Sequence, residues 1–127
     1  MPILVDTSVW VDYFRGGENA GQIDRLIDEN LIVTNDLILA ELVPFLQIRN
    51  QNEIIGLLSV LNKLELLIDW NRIIEDQYRC LKSGVNGVGI PDLIIAGNAR
   101  ENNCAIYSLD NHFSLMKDVL GLMIMAE

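Results

Sequence analysis

The sequence predicts an α/β protein with a mainly parallel central sheet and helices on the faces of that sheet. Short, wholly apolar runs such as ILV at residues 3–5 recur along the chain, as expected for strands buried on both faces. Amphipathic runs at helical spacing separate them. No repeat or linker interrupts this alternation, which predicts one domain over residues 1–127 and a parallel sheet.

The first half of the chain is predicted to contain two strands and four helices. Asp6 and the two hydroxyl residues after it are typical helix-start residues. Asn35 or Asp36 is expected to cap the third helix, which continues past Pro44. The predicted elements are a strand at 3–5, a helix at 8–14, a helix at 21–31, a strand at 31–34, a helix from about 36 to 48 and a helix at 54–64.

The second half of the chain contains a loop rich in glycine. The segment SGVNGVGIP at 83–91 carries three glycines and a proline, and we expect a helix to start at Asp92 directly after it. The ligand site of such a sheet lies beyond the carboxyl ends of its strands. The predicted elements are a strand at 64–69, a helix at 71–82, a helix from 92, a strand at 104–109, a helix at 110–121 and a strand at 122–125.

The charge balance limits how the protein can interact with a nucleic acid. Eighteen acidic residues oppose nine basic ones, which gives a net charge of −9. Long-range attraction to a polyanion is therefore unfavourable, and loose, nonspecific binding of nucleic acid is not expected. The balance leaves room for a nucleic-acid enzyme whose acids hold cations. It also suits a basic protein partner.

The sequence argues against a membrane protein, a secreted protein and a zinc protein. Its longest apolar runs fall short of the roughly 18 residues that span a bilayer. Its start lacks the basic and apolar regions of a signal peptide, so we expect a cytoplasmic protein with no membrane attachment. Cys80 and Cys104 belong to no CxxC motif, and we expect two reduced, buried thiols.

Three aspartates stand apart from the acids on mixed surfaces, and two of them, Asp6 and Asp110, occupy strand carboxyl ends, where such a sheet places its site. Asp6 ends an apolar strand, Asp110 follows another, and Asp92 comes directly after the glycine loop. Each also precedes a predicted helix, and an aspartate N-cap contributes about 1 kcal/mol. Taken one at a time, a capping role is at least as well supported as a catalytic one. Most other acids are assigned to helix caps or solvated surfaces: Asp36, Glu53, Glu65, Asp69, Glu75, Asp76, Glu101 and Asp118.

Glu41 cannot be a cap, because it lies in the middle of the apolar helix DLILAELVPFLQI. Its neighbours one turn away are apolar, which predicts a buried carboxylate. Without a partner, such a carboxylate costs several kcal/mol. The partner is either an arginine, in a structural ion pair, or a metal ion shared with other carboxylates. We prefer the metal ion because it also accounts for Asp6, Asp92 and Asp110.

Four clustered carboxylates are stable together only with cations or protons. Oxygen ligands favour Mg²⁺ or Mn²⁺ and also allow Ca²⁺. Mg²⁺ or Mn²⁺ can assist an in-line displacement at phosphorus, so phosphodiester hydrolysis is the leading chemistry. His112 is the only histidine, which excludes a ribonuclease with two histidines in one chain. We expect His112 to pack or hydrogen-bond in the first turn of the last helix, and a metal-ligand role is the less favoured alternative.

Four motifs occur in order along the chain: VDTSVWVDYF, LAEL, IPDLIIAGNA and SLDNHF. Together, at these distances, they resemble the PIN-domain ribonucleases, most closely the VapC-type toxins of toxin–antitoxin pairs. The resemblance covers essentially the whole chain. It implies an α/β/α sandwich and an endoribonuclease dependent on Mg²⁺ or Mn²⁺, with Asp6, Glu41, Asp92 and Asp110 as catalytic and metal-binding acids. It also implies an RNA substrate, a VapB-like antitoxin partner and a homodimer.

Three further positions are compared with the family pattern. Ser8 matches the position of a hydroxyl that supports the acidic pocket. Ser108 stands where relatives often carry threonine, a change that keeps the hydroxyl. His112 stands where some relatives carry a further acid, which leaves the ligands of a second metal ion open.

The predicted helix at 71–82 carries three basic residues. Arg72, Arg79 and Lys82 are spaced by seven and then three residues, so they share one broad helix face. Because this helix leads into the glycine loop before Asp92, the face could guide RNA to the pocket. A solvated basic stripe is about equally well supported.

Two other protein classes fit parts of the sequence. A receiver domain has a similar length and an acidic pocket, and Asp69 could be its phosphorylated aspartate. However, Asp6 has no adjacent acid, and no lysine follows a late strand. The second alternative is a PIN-like module that binds RNA or a partner protein without cleavage. The presence of all four acids argues against it, and metal-dependent cleavage would separate the two.

Overall fold

The computed structural model describes residues 1–125, and the last two residues of the predicted domain lie outside this range. Within it, five strands form one sheet in which every neighbouring pair is parallel, as the predicted α/β class requires. The strands are β1 (Ile3–Val5), β2 (Ile32–Thr34), β3 (Asn62–Lys63), β4 (Ala105–Tyr107) and β5 (Met123–Ile124). The helices are α1 (Thr7–Phe14), α2 (Ala20–Asp28), α3 (Asp36–Ile48), α4 (Asn52–Val60), α5 (Trp70–Lys82), α6 (Ile90–Glu101) and α7 (His112–Leu120).

The strand order is β3-β2-β1-β4-β5, so the chain changes direction across the sheet once. It moves from β1 through β2 to β3, then crosses back to β4 and continues to β5. Right-handed connections place the helices of these two paths on opposite faces of the sheet. Accordingly, α3 contacts α1 and α4, whereas α5 contacts α6 and α7. The carboxyl ends of β1 and β4 are neighbours at the reversal, where open α/β sheets bind ligands.

The apolar runs that predict strands are buried. Every residue of β1, β2 and β4 is buried. The largest fully buried side chains are Trp10, Tyr107 and Phe113, which pack in the same core. Complete burial of one leucine or phenylalanine contributes about 1.5–3 kcal/mol, so packing rather than helix propensity holds the layers together. Cys80 and Cys104 are free and buried, as predicted.

The third strand differs from its prediction. A strand at 64–69 is wrong, because the chain pairs with β2 earlier, as β3. The helix predicted at 54–64 ends at Val60, since Leu61 is extended with φ −69° and ψ 151° and leads directly into β3. None of the helices within the described part of the chain is long and apolar enough to span a bilayer.

The glycine loop and the helix after it are close to their predictions. Gly84 and Gly87 both have φ of 80°, a conformation that favours glycine. The helix after the loop begins at Ile90 rather than Asp92, with Pro91 in its first turn. Proline is tolerated there because the first backbone N–H groups of a helix have no partner within it. Asp92 therefore lies inside the first turn of α6.

A buried pair of asparagines connects α3 to α6, the helices that carry Glu41 and Asp92. Asn35 Oδ1 caps α3 by accepting the backbone N–H of Ile38 at 2.9 Å. Asn35 Nδ2 donates to Asn98 Oδ1 of α6 at 2.9 Å, and Asn98 Nδ2 donates to the carbonyl of Glu65 at 3.0 Å. The two helices are thereby fixed relative to each other.

Asp76 is a second departure from the sequence prediction. A solvated surface position is wrong, because Asp76 is only 3% exposed. Arg100 of α6 donates to Asp76 Oδ2 of α5 at 2.9 Å and to the carbonyl of Leu120 in α7 at 2.9 Å. This ion pair therefore joins three helices on one face of the sheet.

Candidate active site

Asp6 lies at the carboxyl end of β1 and is 8% exposed. Its backbone N–H continues the pairing with β4 by donating to the carbonyl of Tyr107 at 2.9 Å. The hydroxyls of Ser8 and Ser108 each donate to Asp6 Oδ2 at 2.9 Å. Asp6 stands at the N-cap position of α1, but its side chain makes no capping hydrogen bond. The capping alternative therefore does not describe its carboxylate.

The two serines also fix the backbone after β4. Ser8 Oγ accepts the N–H of Leu109, and Ser108 Oγ accepts the N–H of Asp110, both at 3.0 Å. The two hydroxyl oxygens lie 3.3 Å apart. Since each hydroxyl has one hydrogen and gives it to Asp6, the two serines make no further hydrogen bond to each other. Asp110 is thereby held at the same end of the sheet as Asp6.

Asp92, Asp110 and His112 form a second, partly buried group. His112 Nδ1 lies 3.0 Å from Asp92 Oδ2 and 3.1 Å from Asp110 Oδ2. Both aspartates also accept backbone N–H groups: Asp92 from Gly89 at 3.3 Å, and Asp110 from His112 at 2.9 Å. Each of these two aspartates therefore both accepts a backbone N–H near the start of a helix and belongs to an acidic group.

Glu41 lies at the exposed side of α3, so the predicted burial of this residue is wrong. The hydroxyl of Thr7 donates to its Oε1 at 3.3 Å. The pKa of Glu41 is raised, mainly because the carboxyl group itself is partly desolvated, and also by the negative charges of Asp6 and Asp92. The hydrogen bond from Thr7 opposes this rise. The negative charges of Asp6 and Asp92 therefore act on the Glu41 carboxyl group, although the residue as a whole is exposed.

Two further residues contact the acids of the site. His112, the first residue of α7, contacts both Asp92 and Asp110, which confirms the expected hydrogen bonding in the first turn of the last helix. A metal-ligand role for His112 stays a prediction. Thr7 looks like a helix-start residue only, yet it contacts Glu41 across 34 residues of sequence.

The three basic residues of α5 lie in mixed surroundings. Arg79 donates to the carbonyl of Val119 in α7, and the nitrogen of Lys82 lies 5.7 Å from the ring centre of Tyr78. Arg72 and Arg79 line a surface depression together with three carboxylates, those of Asp69, Glu75 and Asp76. Asp69 caps α5, as expected, by accepting the N–H of Arg72 at 3.2 Å. The role of this face in binding RNA stays a prediction.

The donor atoms of the site suit a divalent cation. One atom each from Asp92, Asp110 and His112 lie within 4.8 Å of one another. Asp6 and Glu41 add two carboxylates, and the negative charges of Asp6 and Asp92 contribute to the raised pKa of Glu41. An oxygen-rich set with one imidazole nitrogen is a chemically reasonable environment for Mg²⁺, and also for Mn²⁺ and other first-row transition-metal ions.

The sequence matches the PIN-domain family over residues 3–119. Because this match spans most of the chain, the protein belongs to the PIN-domain family of nucleases, and the resemblance of its four motifs to that family is confirmed. Among curated protein sequences, none matches significantly.

Solved structures with the same fold are similar over nearly the whole chain. VapBC2 from Rickettsia felis, bound to a DNA fragment from its promoter, has a TM-score of 0.76 at 20% identity and covers 98% of both chains. DNA-bound VapBC from Salmonella typhimurium has a TM-score of 0.73 at 18% identity, covering 98% of this chain and 97% of the other. FitAcB from Neisseria gonorrhoeae has a TM-score of 0.68 at 18% identity, covering 98% and 96%. At these identities the similarity shows the fold alone.

Proposed function

We propose that the protein is a metal-dependent endoribonuclease that hydrolyses RNA phosphodiester bonds with Asp6, Glu41, Asp92 and Asp110. The observation that carries this proposal is the grouping of acids from separate elements where the sheet reverses. His112 contacts Asp92 of α6 and Asp110 after β4, and the charges of Asp6 and Asp92 act on Glu41 of α3. Membership of the PIN-domain family supports the same activity.

The expected cofactor is Mg²⁺ or Mn²⁺, held by Asp6, Glu41, Asp92 and Asp110. When bound, the ion supplies an activated water and neutralises charge at the phosphate. The protein's own contribution is to fix the carboxylates before RNA arrives. Two serine hydroxyls hold one oxygen of Asp6, and Thr7 orients Glu41. Such preorganisation lowers the reaction barrier because no reorientation is needed during the chemical step.

We further propose that the protein is the toxin of a toxin–antitoxin pair and binds a VapB-like antitoxin. Two solved structures with this fold are VapBC assemblies. The four sequence motifs point to the same class. A net charge of −9 favours association with a basic segment of a partner. We expect the protein to act on RNA in the cytoplasm.

A second copy of the chain is the partner that we propose for α5. Trp70, Ile74 and Tyr78 follow one another at intervals of four residues and are 58%, 67% and 60% exposed. An apolar stripe of this kind on a water-exposed helix is typical of an interaction surface. Light scattering should give a dimer mass for the wild type and a smaller mass for Ile74→Glu. The control Ile48→Glu changes an exposed apolar residue of α3 and should stay dimeric.

The nuclease proposal is tested by incubating antitoxin-free protein with total cellular RNA and Mg²⁺ or Mn²⁺, then mapping new RNA ends. We expect discrete cuts that require metal and disappear in Asp6→Asn and Glu41→Gln. The control Glu53→Gln removes an exposed acid in the first turn of α4 and should cut like the wild type.

Two other outcomes of the cleavage experiment would contradict parts of this proposal. Full cleavage by Glu41→Gln would remove that residue from the catalytic set. No cleavage and no metal binding by the wild type would instead favour the PIN-like module that binds RNA or a partner without cutting.

A further inference from the structure

A single nitrogen of His112 contacts two carboxylates. Nδ1 lies 3.0 Å from Asp92 Oδ2 and 3.1 Å from Asp110 Oδ2. An imidazole nitrogen carries at most one hydrogen, whereas carboxylate oxygens act as acceptors. Nδ1 therefore cannot give each oxygen a full hydrogen bond of its own. A cation bound by all three atoms would satisfy the nitrogen and both oxygens together.

Two of the three distances within this group match the distance between neighbouring ligands around one ion. Neighbouring ligands of an octahedral ion with bonds of about 2.1 Å lie about 3.0 Å apart. The two nitrogen–oxygen distances, 3.0 and 3.1 Å, agree with this value. Asp110 Oδ1 is held by the backbone N–H of His112 at 2.9 Å, which turns Oδ2 of the same carboxylate toward Nδ1.

We propose that His112 binds the catalytic cation through Nδ1, together with Asp92 and Asp110, and that this nitrogen makes the site select first-row transition-metal ions over Mg²⁺. The inference rests on the proposed function, because it concerns the cation of the same site. Imidazole is a good ligand for transition-metal ions, whereas Mg²⁺ prefers carboxylates and water. Carboxylates alone leave the choice between Mg²⁺ and Mn²⁺ open, so His112 is the residue that decides it.

Mn²⁺ bound to purified, untagged protein provides a direct test, because His112 is the only histidine in the sequence. Pulsed electron paramagnetic resonance detects coupling between bound Mn²⁺ and an imidazole nitrogen. We expect this coupling in the wild type and its loss in His112→Gln. The Mn²⁺ affinity of His112→Gln should fall at least about tenfold, since even the loss of a residue that only supports a metal ligand costs about 10- to 100-fold in affinity. Mg²⁺ affinity, measured by competition, should change less.

Two further variants complete the test. His112→Asp supplies an oxygen in place of the nitrogen, so we expect it to keep Mn²⁺, lose the nitrogen coupling and gain affinity for Mg²⁺ relative to Mn²⁺. Asp118→Asn changes an exposed acid on the same helix and should behave as the wild type. Thermal melting of each variant separates loss of a metal ligand from loss of the fold. The nitrogen coupling in the resonance spectrum of the wild type tests the proposal even if a variant does not fold.

Each outcome separates this inference from the nuclease proposal. Mn²⁺ bound to the wild type without nitrogen coupling would overturn the inference and leave a carboxylate site in place. An equal loss of Mn²⁺ and Mg²⁺ affinity in His112→Gln would overturn the selectivity. Nitrogen coupling without RNA cleavage would support the inference and contradict the nuclease activity. No Mn²⁺ binding at all would overturn the inference and count against the metal-dependent site.

Discussion

Asp6 and Asp76 are both buried aspartates, 8% and 3% exposed, but their surroundings differ in charge. Asp76 is paired with the guanidinium of Arg100 at 2.9 Å. Asp6 accepts two hydrogen bonds from serine hydroxyls, and within residues 1–125 it forms no ion pair. The charge of Asp76 is thus balanced inside the fold, whereas neutral groups alone hold the charge of Asp6.

This difference separates a carboxylate with a structural partner from the one that we propose binds a cation. A buried charge is stable only with a compensating partner or good hydrogen bonds. Arg100 serves that purpose at Asp76 and joins α5, α6 and α7. At Asp6 two hydroxyls orient the carboxylate, and no cationic side chain within residues 1–125 balances its charge. Counter-charge, rather than burial, therefore distinguishes the two positions.

The largest effect on activity is expected for Asp6→Asn. This change keeps the shape of the side chain but removes the charge, so metal-dependent cleavage should fall about a hundred- to thousandfold. The melting temperature of the metal-free protein should stay the same or rise, since an unbalanced charge is removed. Cleavage rates and thermal melting of the same preparation test both expectations. A marked loss of stability with retained cleavage would mean that Asp6 is a structural carboxylate like Asp76.

For Asp76→Asn we expect the opposite result, a loss of stability with unchanged cleavage. Breaking a buried pair leaves one charge unpaired and typically costs about 3–5 kcal/mol, and we expect the lower end because Arg100 is partly exposed. Denaturant unfolding measures the loss, and cleavage by the folded protein at low temperature should be unchanged. The control Asp36→Asn breaks the exposed pair with Lys63 and should cost less than about 1 kcal/mol. Equal losses in the two variants would contradict the contrast.

The same contrast explains what the sequence can and cannot predict. The sequence can place Asp6 and Asp110 at the same end of the sheet because each follows a short apolar strand, and the carboxyl ends of neighbouring parallel strands lie together. These predictions require only a local pattern and a general property of α/β sheets. The position of Asp92 near the start of α6 also depends on a local signal, the glycine loop before that helix.

Burial and pairing between helices cannot be read in this way. Arg100, the partner of Asp76, lies 24 residues away on another helix, so the pair depends on how α5 packs against α6. The sequence predicts a buried Glu41 because its helix is apolar on nearly every side, and such a pattern does not show which side faces water. His112 meets Asp92 only through the packing of α6 near the end of β4.

A moderate effect is expected when one hydroxyl at Asp6 is removed. Ser108→Ala deletes a hydrogen bond to Asp6 and the acceptor for the N–H of Asp110. A net loss of about 1–2 kcal/mol corresponds to roughly tenfold weaker metal binding. Ser108→Thr keeps the hydroxyl and should bind metal like the wild type. Calorimetric titration with Mn²⁺ measures both, and equal affinity of Ser108→Ala and the wild type would show that Ser108 does not position Asp6.

The smallest effect is expected on the thermal stability of Glu41→Gln, which changes an exposed residue whose pKa is nevertheless raised above its ordinary value of 4.5. A raised pKa means that the folded protein holds this proton more tightly than the unfolded chain does. The resulting stabilisation is complete below the ordinary pKa and is lost as the pH rises through the raised pKa of the folded state.

Glu41→Gln removes this one titration and leaves Asp6 and Asp92 in place. In metal-free protein, the variant should therefore gain melting temperature relative to the wild type as the pH rises from about 4 to about 7, by a small amount that is typical of exposed charges. Added Mn²⁺ should reverse the order at neutral pH, because only the wild type offers the Glu41 carboxylate to the ion. Parallel melting curves for the two proteins at every pH would mean that Glu41 does not feel the other acids. The shared negative charge would then be confined to the residues at the ends of β1 and β4 and the start of α6.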